Sequence, residues 1–436
     1  MHMEWIFLGG FCALLCASLV LDVFILWALL GGYLLFFSYG LLKGHKPKAL
    51  LTMSLQGLKT VKTILFLFLL IGMITAMWRA SGTIPFLIYH AAGLISPAVF
   101  PLLAFLLCSA MSVLTGTSFG TAATIGVICM SISQAMGLNP VLSAGAILSG
   151  AFFGDRCSPM STSALLVAAL TETDIYDNIK GMIRTAWVPL ALTCGIYLAV
   201  GLTHPHGTFS QDLLAPFAQG FRLHWLTVLP ALVIIALSLF KCKVRITMGL
   251  SILVSAILCL TLQDVTLGQL LKTALLGYTP TLPELKNLLS GGGVISMATP
   301  LCIVSVSSTF SGLFNGTGLL DGLKGAVHKL AGKVSPFGSL LATSILTAMI
   351  SCNQSLAIML SHSLCREDFS HQNLAIGLEN TVVVIAPLIP WSIAGTVPLA
   401  SLGAPPEAML AACYLYLIPL WNLAVNLKQH KKSALQ

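Results

Sequence analysis

The stretch Val141–Val167, VLSAGAILSGAFFGDRCSPMSTSALLV, holds the pattern that decides how this chain folds. It sets Asp155 beside Arg156, with Ser149, Ser158, Ser161, Thr162 and Ser163 around them, inside a run that otherwise reads as membrane helix. A charge at membrane depth costs about 2.5–3.5 kcal/mol on insertion scales, so ionisable groups placed there line pathways or water-filled cavities. Gly150, Gly154 and Pro159 are expected to break the helix. Broken backbone survives in a membrane where protein buries it or where it lines such a cavity. The stretch points to a chain that moves something across a bilayer.

Composition agrees. The 436 residues are 57% hydrophobic and 8% charged, against about 25% charged in a soluble domain. The chain therefore reads as an all-α polytopic membrane protein, and its apolar runs allow roughly ten to thirteen spanning or re-entrant helices. The net charge of +8 does not mark a nucleic-acid partner. Lys43, Lys46 and Lys48, Lys59 and Lys62, Lys241, Lys243 and Arg245, and Lys428, Lys431 and Lys432 are scattered through short connections. That distribution marks the cytoplasmic face of a membrane protein and places both termini in the cytoplasm. The twelve cysteines include no Cys-x-x-Cys pair and mostly sit in apolar runs such as those of Cys12, Cys16, Cys108, Cys129 and Cys302. They read as small buried hydrophobes, not as disulfides or a metal site. MHMEW lacks a basic leader region, so the first apolar run is expected to be an uncleaved span.

Trp5–Leu42 is long enough for two spans, with Asp22 near their junction, and Val61–Trp78 forms another. The long run from Ala98 to Met136 is interrupted by Thr115–Thr121, and Asn139-Pro140 opens the Asp155 segment. Thr171–Thr185 is polar and reads as a loop before a span at Ala186–Leu202. His204–Leu223 is a polar connection, and Trp225–Phe240 and Ile246–Leu262 are clean spans. A weak internal repeat links the halves. Ser96-Pro97 leads to the polar break at Thr115–Ser118, and Ser335-Pro336 leads to one at Asn353–Ser355. Paired broken helices at the midplane point to a transporter built from two repeats, with its site at their interface. The expected divisions are N-terminal helices at 1–50, a first transport repeat at 51–203 and a connector with scaffold helices at 204–290. A second transport repeat at 291–427 and a basic cytoplasmic tail at 428–436 complete the chain.

Thr115, Thr117 and Ser118 offer hydroxyls beside glycine-exposed carbonyls, the oxygen ligands a hard cation requires. The plainer alternative is helix packing, since Gly116-x-x-x-Gly120, Gly150-x-x-x-Gly154 and Gly312-x-x-x-Gly316 all fit the small-xxx-small pattern. The same residues spell G-x-S-x-G, but a nucleophile elbow requires a strand–turn–helix setting, and His90 is the one nearby candidate base. An intramembrane serine hydrolase is therefore a remote alternative. Asp155 can hold a cation or a proton, or form a structural pair with Arg156. Glu379 is the other acid inside a long apolar run, as an exchange group or as a helix end facing water.

Three blocks taken together resemble the NhaC-type Na⁺/H⁺ antiporter family. SGAFFGDRCSPMS at Ser149–Ser161 is similar to that family's SG-x-x-FGD-x-x-SP-x-S signature. NQSLAIML at Asn353–Leu360 is similar to its DQ-x-L-A/S-I segment, and LENTVVVIAPLIPW at Leu378–Trp391 to its LED-x-G-T…PLIPW segment. The resemblance implies inverted repeats with re-entrant hairpins, a homodimer and alternating access. It also shows departures: the family pattern has Asp at Thr162, Asn353 and Asn380, Asn at Leu165 and Arg at Ile376. Amides still offer carbonyl oxygens to Na⁺ but release no proton near neutral pH.

The expected function is secondary active transport of the NhaC type, Na⁺ (or another cation) against H⁺, across the cytoplasmic membrane. The alternative on the same fold is a Na⁺- or H⁺-coupled, or uncoupled, exchanger of an amino acid or carboxylate. Asp155 and Glu379 are the expected proton or cation carriers. Thr115, Thr117, Ser118, Asn353, Gln354 and Ser355 would ligate from the breaks, and Ser158, Ser161, Thr162, Asn380 and Thr381 would complete the cavity. Gly150, Gly154, Pro159, Pro390 and Trp391 would shape the backbone there. No cofactor is expected, nor any metal beyond transported Na⁺; the partners are the lipid bilayer, the transported species and a second copy of the chain.

Overall fold

A computed structural model describes residues 2–21, 23–60, 62–91, 95–203, 214–240, 242–319, 335–351 and 353–434. Asp22 and the start of the polar connection, 204–213, lie outside the described residues. The helices are α1 His2–Val20, α2 Ile25–Leu42, α3 Pro47–Thr60, α4 Lys62–Ala80, α5 Thr83–Ala91, α6 Phe100–Thr115, α7 Ser118–Thr121 and α8 Val127–Ala135. There follow α9 Pro140–Cys157, α10 Thr162–Thr171, α11 Ile175–Thr203, α12 Leu214–Gly220, α13 Leu229–Leu239, α14 Val244–Thr261, α15 Leu267–Leu276 and α16 Lys286–Leu289. The last are α17 Ala298–Thr317, α18 Pro336–Ser351, α19 Gln354–Cys365, α20 His371–Asn380, α21 Val382–Ile385, α22 Ile393–Leu402 and α23 Cys413–Ala434. Among the described residues the only β-pairing is one antiparallel bridge between Tyr278 and Gly291.

Among the described residues, six helical stretches are long and apolar enough to cross a membrane: Ile25–Leu42, Pro97–Thr115, Ser118–Ala135, Ile175–Thr203, Val244–Thr261 and Val294–Phe314. Two bent pairs, Leu65–Ala80 with Thr83–His90 and His371–Leu388 with Ile393–Leu402, bring the number to eight. Four shorter apolar helices, among them Met3–Leu15 and Pro336–Ser351, supply further segments. Trp27, Leu34, Trp187 and Phe240 are all more than half exposed. So much outward-facing apolar side chain is unsuited to water and matches lipid. This is an integral, multi-pass, all-α membrane protein.

Among the described residues, two large cores and two small clusters hold the bundle. The smaller of the two large ones joins α1, α2 and α17 through Phe11, Phe36, Phe310 and Phe314, with Phe11 and Phe36 edge to face, Phe310 edge to face on Phe11, and Phe314 edge to face on Phe36. Gly312 and Gly316 let α17 approach α3, since a Cβ on either would run into Met53. The larger core surrounds α9, in which every residue from Ser143 to Cys157 except Phe153 is buried. A helix enclosed on all sides has no solvent face to make polar, which is why α9 lacks a single apolar stripe.

Two expectations are corrected here. Gly150 and Gly154 do not break α9, which runs unbroken through both. They bring it against α6: a Cβ at Gly150 would lie 2.4 Å from the Phe105 carbonyl oxygen, and one at Gly154 2.4 Å from the Ser112 side chain. Helix packing explains this pair, and the break comes later, at Ser158-Pro159. Nor is Thr171–Thr185 a loop. Helix α11 starts at Ile175, with the Tyr176 and Asp177 amides donating to Asp174 Oδ1 at 2.8 and 3.1 Å. The polar residues of that stretch serve as a helix cap and as partners of a buried charge.

Candidate functional site

Three breaks converge. In the first half, α6 ends at Gly116, whose φ of +65° closes the helix in a left-handed turn. Thr117 then caps α7, its hydroxyl accepting from the Gly120 amide at 3.3 Å. A π-helical turn at Ala122–Gly126 follows, a deviation frequent at functional sites. In the second half, α18 ends at Ser351 and Asn353 caps α19, accepting from the Ser355 amide at 2.9 Å. The third break is the turn at Ser158–Ser161, and it meets the first: a Cβ on Gly116 would sit 2.6 Å from the Met160 backbone. Thr115, Thr117, Thr162, Asn353, Gln354 and Ser355 all line one cavity of about 570 Å³.

A buried charged cluster adjoins the first and third breaks. The Asp155 carboxylate accepts from Ser161 Oγ at 2.9 Å and from Ser163 Oγ at 3.2 Å, and it interacts with the Ser118 amide at the start of α7. Ser161 in turn caps α10. Arg156 makes no ion pair with its neighbour. Its guanidinium donates to the carbonyls of Glu379 at 3.1 Å and Met182 at 3.2 Å, to Thr185 Oγ1, to the Tyr414 hydroxyl and to Asn380 Oδ1. Glu379 is completely buried, and neither carboxylate oxygen has a hydrogen-bond partner among the described residues. It is not a helix end facing water. Electrostatically it is coupled to Arg156 and to Asp155.

The other anticipated residues take structural positions. Ser158 Oγ donates to the Val113 carbonyl at 2.7 Å and accepts from the Met160 amide. Thr381 is buried, donating to Gly377 and accepting from Ser344, and it separates α20 from α21 at φ −124°, ψ −89°. Gln354 Nε2 bonds the Val383 carbonyl at 2.9 Å, joining the second break to α21. Trp391, just after Pro390, is buried and donates to the Met349 carbonyl, tying the α21–α22 bend to α18. Pro159 sits in the turn after α9. Sequence reasoning left out Ser163, Thr185, Met182 and Tyr414 as site residues. Ser163 had a visible signal, standing two residues from Ser161, whereas nothing local marks the others.

Asn380 and Thr185 line a second cavity of about 610 Å³, which shares no residue with the first. Arg156 thus contacts two residues that line the second cavity, Thr185 and Asn380, while the Asp155 partners Ser118 and Ser161 are chain neighbours of residues that line the first. Ser118 shows no hydrogen bond to His90 among the described residues, and His90 packs against Phe86 and Tyr89. An all-helical setting offers no strand–turn–helix elbow for a serine nucleophile.

A polytopic bundle with a buried charged cluster between broken helices is a secondary membrane transporter. The sequence profile of the Na⁺/H⁺ antiporter family matches residues 1–171 and 150–421. The chain belongs to that family; it is an antiporter that carries ions across a lipid membrane, and it is not an enzyme. It is 26% identical to the malate-2H⁺/Na⁺-lactate antiporter of Bacillus subtilis, over 95% of this chain and 92% of that one. It is 28% identical to the Na⁺/H⁺ antiporter NhaC of Alkalihalophilus pseudofirmus, over 85% and 82% of the two chains. With the arginine/ornithine antiporter ArcD of Halobacterium salinarum it shares 26% identity, over 78% and 73%.

Proposed function

We propose that this chain exchanges Na⁺ for H⁺ by alternating access, with Asp155 and Glu379 as the exchange groups. One observation carries the reading. The buried cluster sets two carboxylates, Asp155 and Glu379, against one guanidinium, Arg156, and Glu379 has no donor among the described residues. Burying an uncompensated charge costs several kcal/mol, so the cluster calls for one added monovalent cation. H⁺ and Na⁺ both meet that demand, and each excludes the other. Such competition for one charge vacancy is the physical basis of antiport.

In this reading the hydroxyls and amide oxygens of Thr115, Thr117, Thr162, Asn353 and Ser355 strip water from the arriving cation. Ser118 and Ser161 position Asp155 to receive it, while Asn380 holds Arg156 in place. The cavity beside Asn353 and the cavity beside Asn380 would give access in alternation. The repeats at 51–203 and 291–427 would move against the helices between them. Family resemblance and the basic connections support a homodimer in the cytoplasmic membrane with both termini in the cytoplasm.

The test uses purified protein in liposomes loaded with a pH-sensitive dye. Na⁺ added outside should alkalinise the lumen as protons leave, and Asp155→Asn and Glu379→Gln should each abolish the signal. A lumen that stays at constant pH with folded wild-type protein contradicts the reading.

A second reading, exchange of a small organic solute on the same fold, is favoured by the uncharged Thr162 and Asn353 on the cavity wall. The names of the malate/lactate and arginine/ornithine relatives support it as well.

A further inference from the structure

The first cavity has a wall that cation transport does not use. Lys243, just before α14, and Arg245, in its first turn, both line it together with residues of the breaks. Both are exposed, and neither is ion-paired among the described residues. The start of α14 is fixed against the first break, since a Cβ on Gly120 would meet the Val244 side chain at 3.2 Å. None of the described lining residues is acidic. Two cations without an ion-pair partner among the described residues give this part of the wall a positive charge that favours an anion there. The volume of about 570 Å³ is also far beyond what a bare Na⁺ fills and lies in the range of small-molecule sites.

We infer that this cavity binds a small organic carboxylate, held by Lys243 and Arg245. Arg245 offers its planar fork to the two carboxylate oxygens, and Lys243 acts as a point charge. Thr117, Asn353 and Ser355 meet the polar substituents at the far end. The inference rests on the organic-solute reading for the cavity being a transport path, and it adds the chemical class and the residues that select it.

The experiment measures binding to the purified full-length protein by calorimetry. Sodium lactate and disodium succinate are compared with lactamide, succinamide and agmatine, all at equal Na⁺ with chloride as balancing anion. Binding of lactate or succinate, with the amides and agmatine at least about tenfold weaker, supports the inference. The double variant Lys243→Gln/Arg245→Gln should then lose about tenfold or more in affinity, and Lys243→Arg, which keeps the point charge and leaves the Arg245 fork in place, should retain it. Should the charge-removing variant not fold, the acid-against-amide comparison on wild-type protein still decides. Equal or tighter binding of an amide or of agmatine overturns the carboxylate assignment and leaves the organic-solute reading standing. Binding of none of the five overturns both.

Discussion

The guanidinium of Arg156 hydrogen-bonds the backbone carbonyl of Glu379, 223 residues further along the chain, at 3.1 Å, while the Glu379 carboxylate itself has no donor among the described residues. One side chain thus fixes the position of the acid without neutralising it by contact. The charge stays available to a mobile cation, and the main chain that carries it is held still.

Arg156→Gln should be strongly destabilising. It removes the one cation of the buried cluster and leaves the Met182 and Glu379 carbonyls without their donor. The loss should be roughly 3–5 kcal/mol, the usual cost of breaking a buried charged network. Adding Glu379→Gln should recover part of it, because the double variant buries one carboxylate fewer. Thermal unfolding in detergent reads both, and a double variant no more stable than Arg156→Gln would argue against charge coupling between the two residues.

Gly154→Val should destabilise through packing alone. Its side chain would enter the Ser112–Val113 backbone of α6, and overpacking of this kind costs ~1–3 kcal/mol. The variant should unfold at lower temperature yet, where folded, keep the cation preference of the wild type. A changed preference with unchanged stability would mean that Gly154 acts in the site and not in the helix contact.

Much of the fold was legible in sequence because a membrane forces it to be. Every spanning backbone must satisfy its own hydrogen bonds, so helices follow from apolar runs, and departures stand out at Gly116, Pro159 and Asn353. The ambiguity lay in residues with two uses. Glycine breaks a helix at Gly116 and joins two helices at Gly154, and composition alone does not separate these roles. The polar run before Thr185 reads as a loop in water, but here it is a helix turned toward a buried guanidinium. Apart from the adjoining Cys157, the partners of Arg156 lie 26 to 258 residues away, and contacts at that separation leave no local pattern. Asp155 and Glu379 stood out as lone acids in apolar runs, whereas Tyr414 looked like any aromatic in a span.

Asn353→Asp should strengthen Na⁺ binding. It puts a carboxylate on the cavity wall at the cap of α19, where negative charge is favoured by the helix dipole. A single added charge should raise apparent Na⁺ affinity by about tenfold, ~1.4 kcal/mol. It should also weaken any anion held in the same cavity. Concentration dependence of Na⁺-driven proton movement in liposomes measures the first effect, and an unchanged half-saturation would remove Asn353 from the cation path.

The most direct measurement is proton release when Na⁺ binds. Purified protein in weak buffer with a pH indicator is titrated with NaCl, choline chloride serving as the ionic-strength control. If the cluster of Asp155, Glu379 and Arg156 holds either a proton or a sodium ion, Na⁺ should release protons in proportion to its binding, and Glu379→Gln should bind Na⁺ without release or not bind it at all. Na⁺ binding to wild-type protein with no proton released would contradict the shared vacancy on which the exchange reading stands.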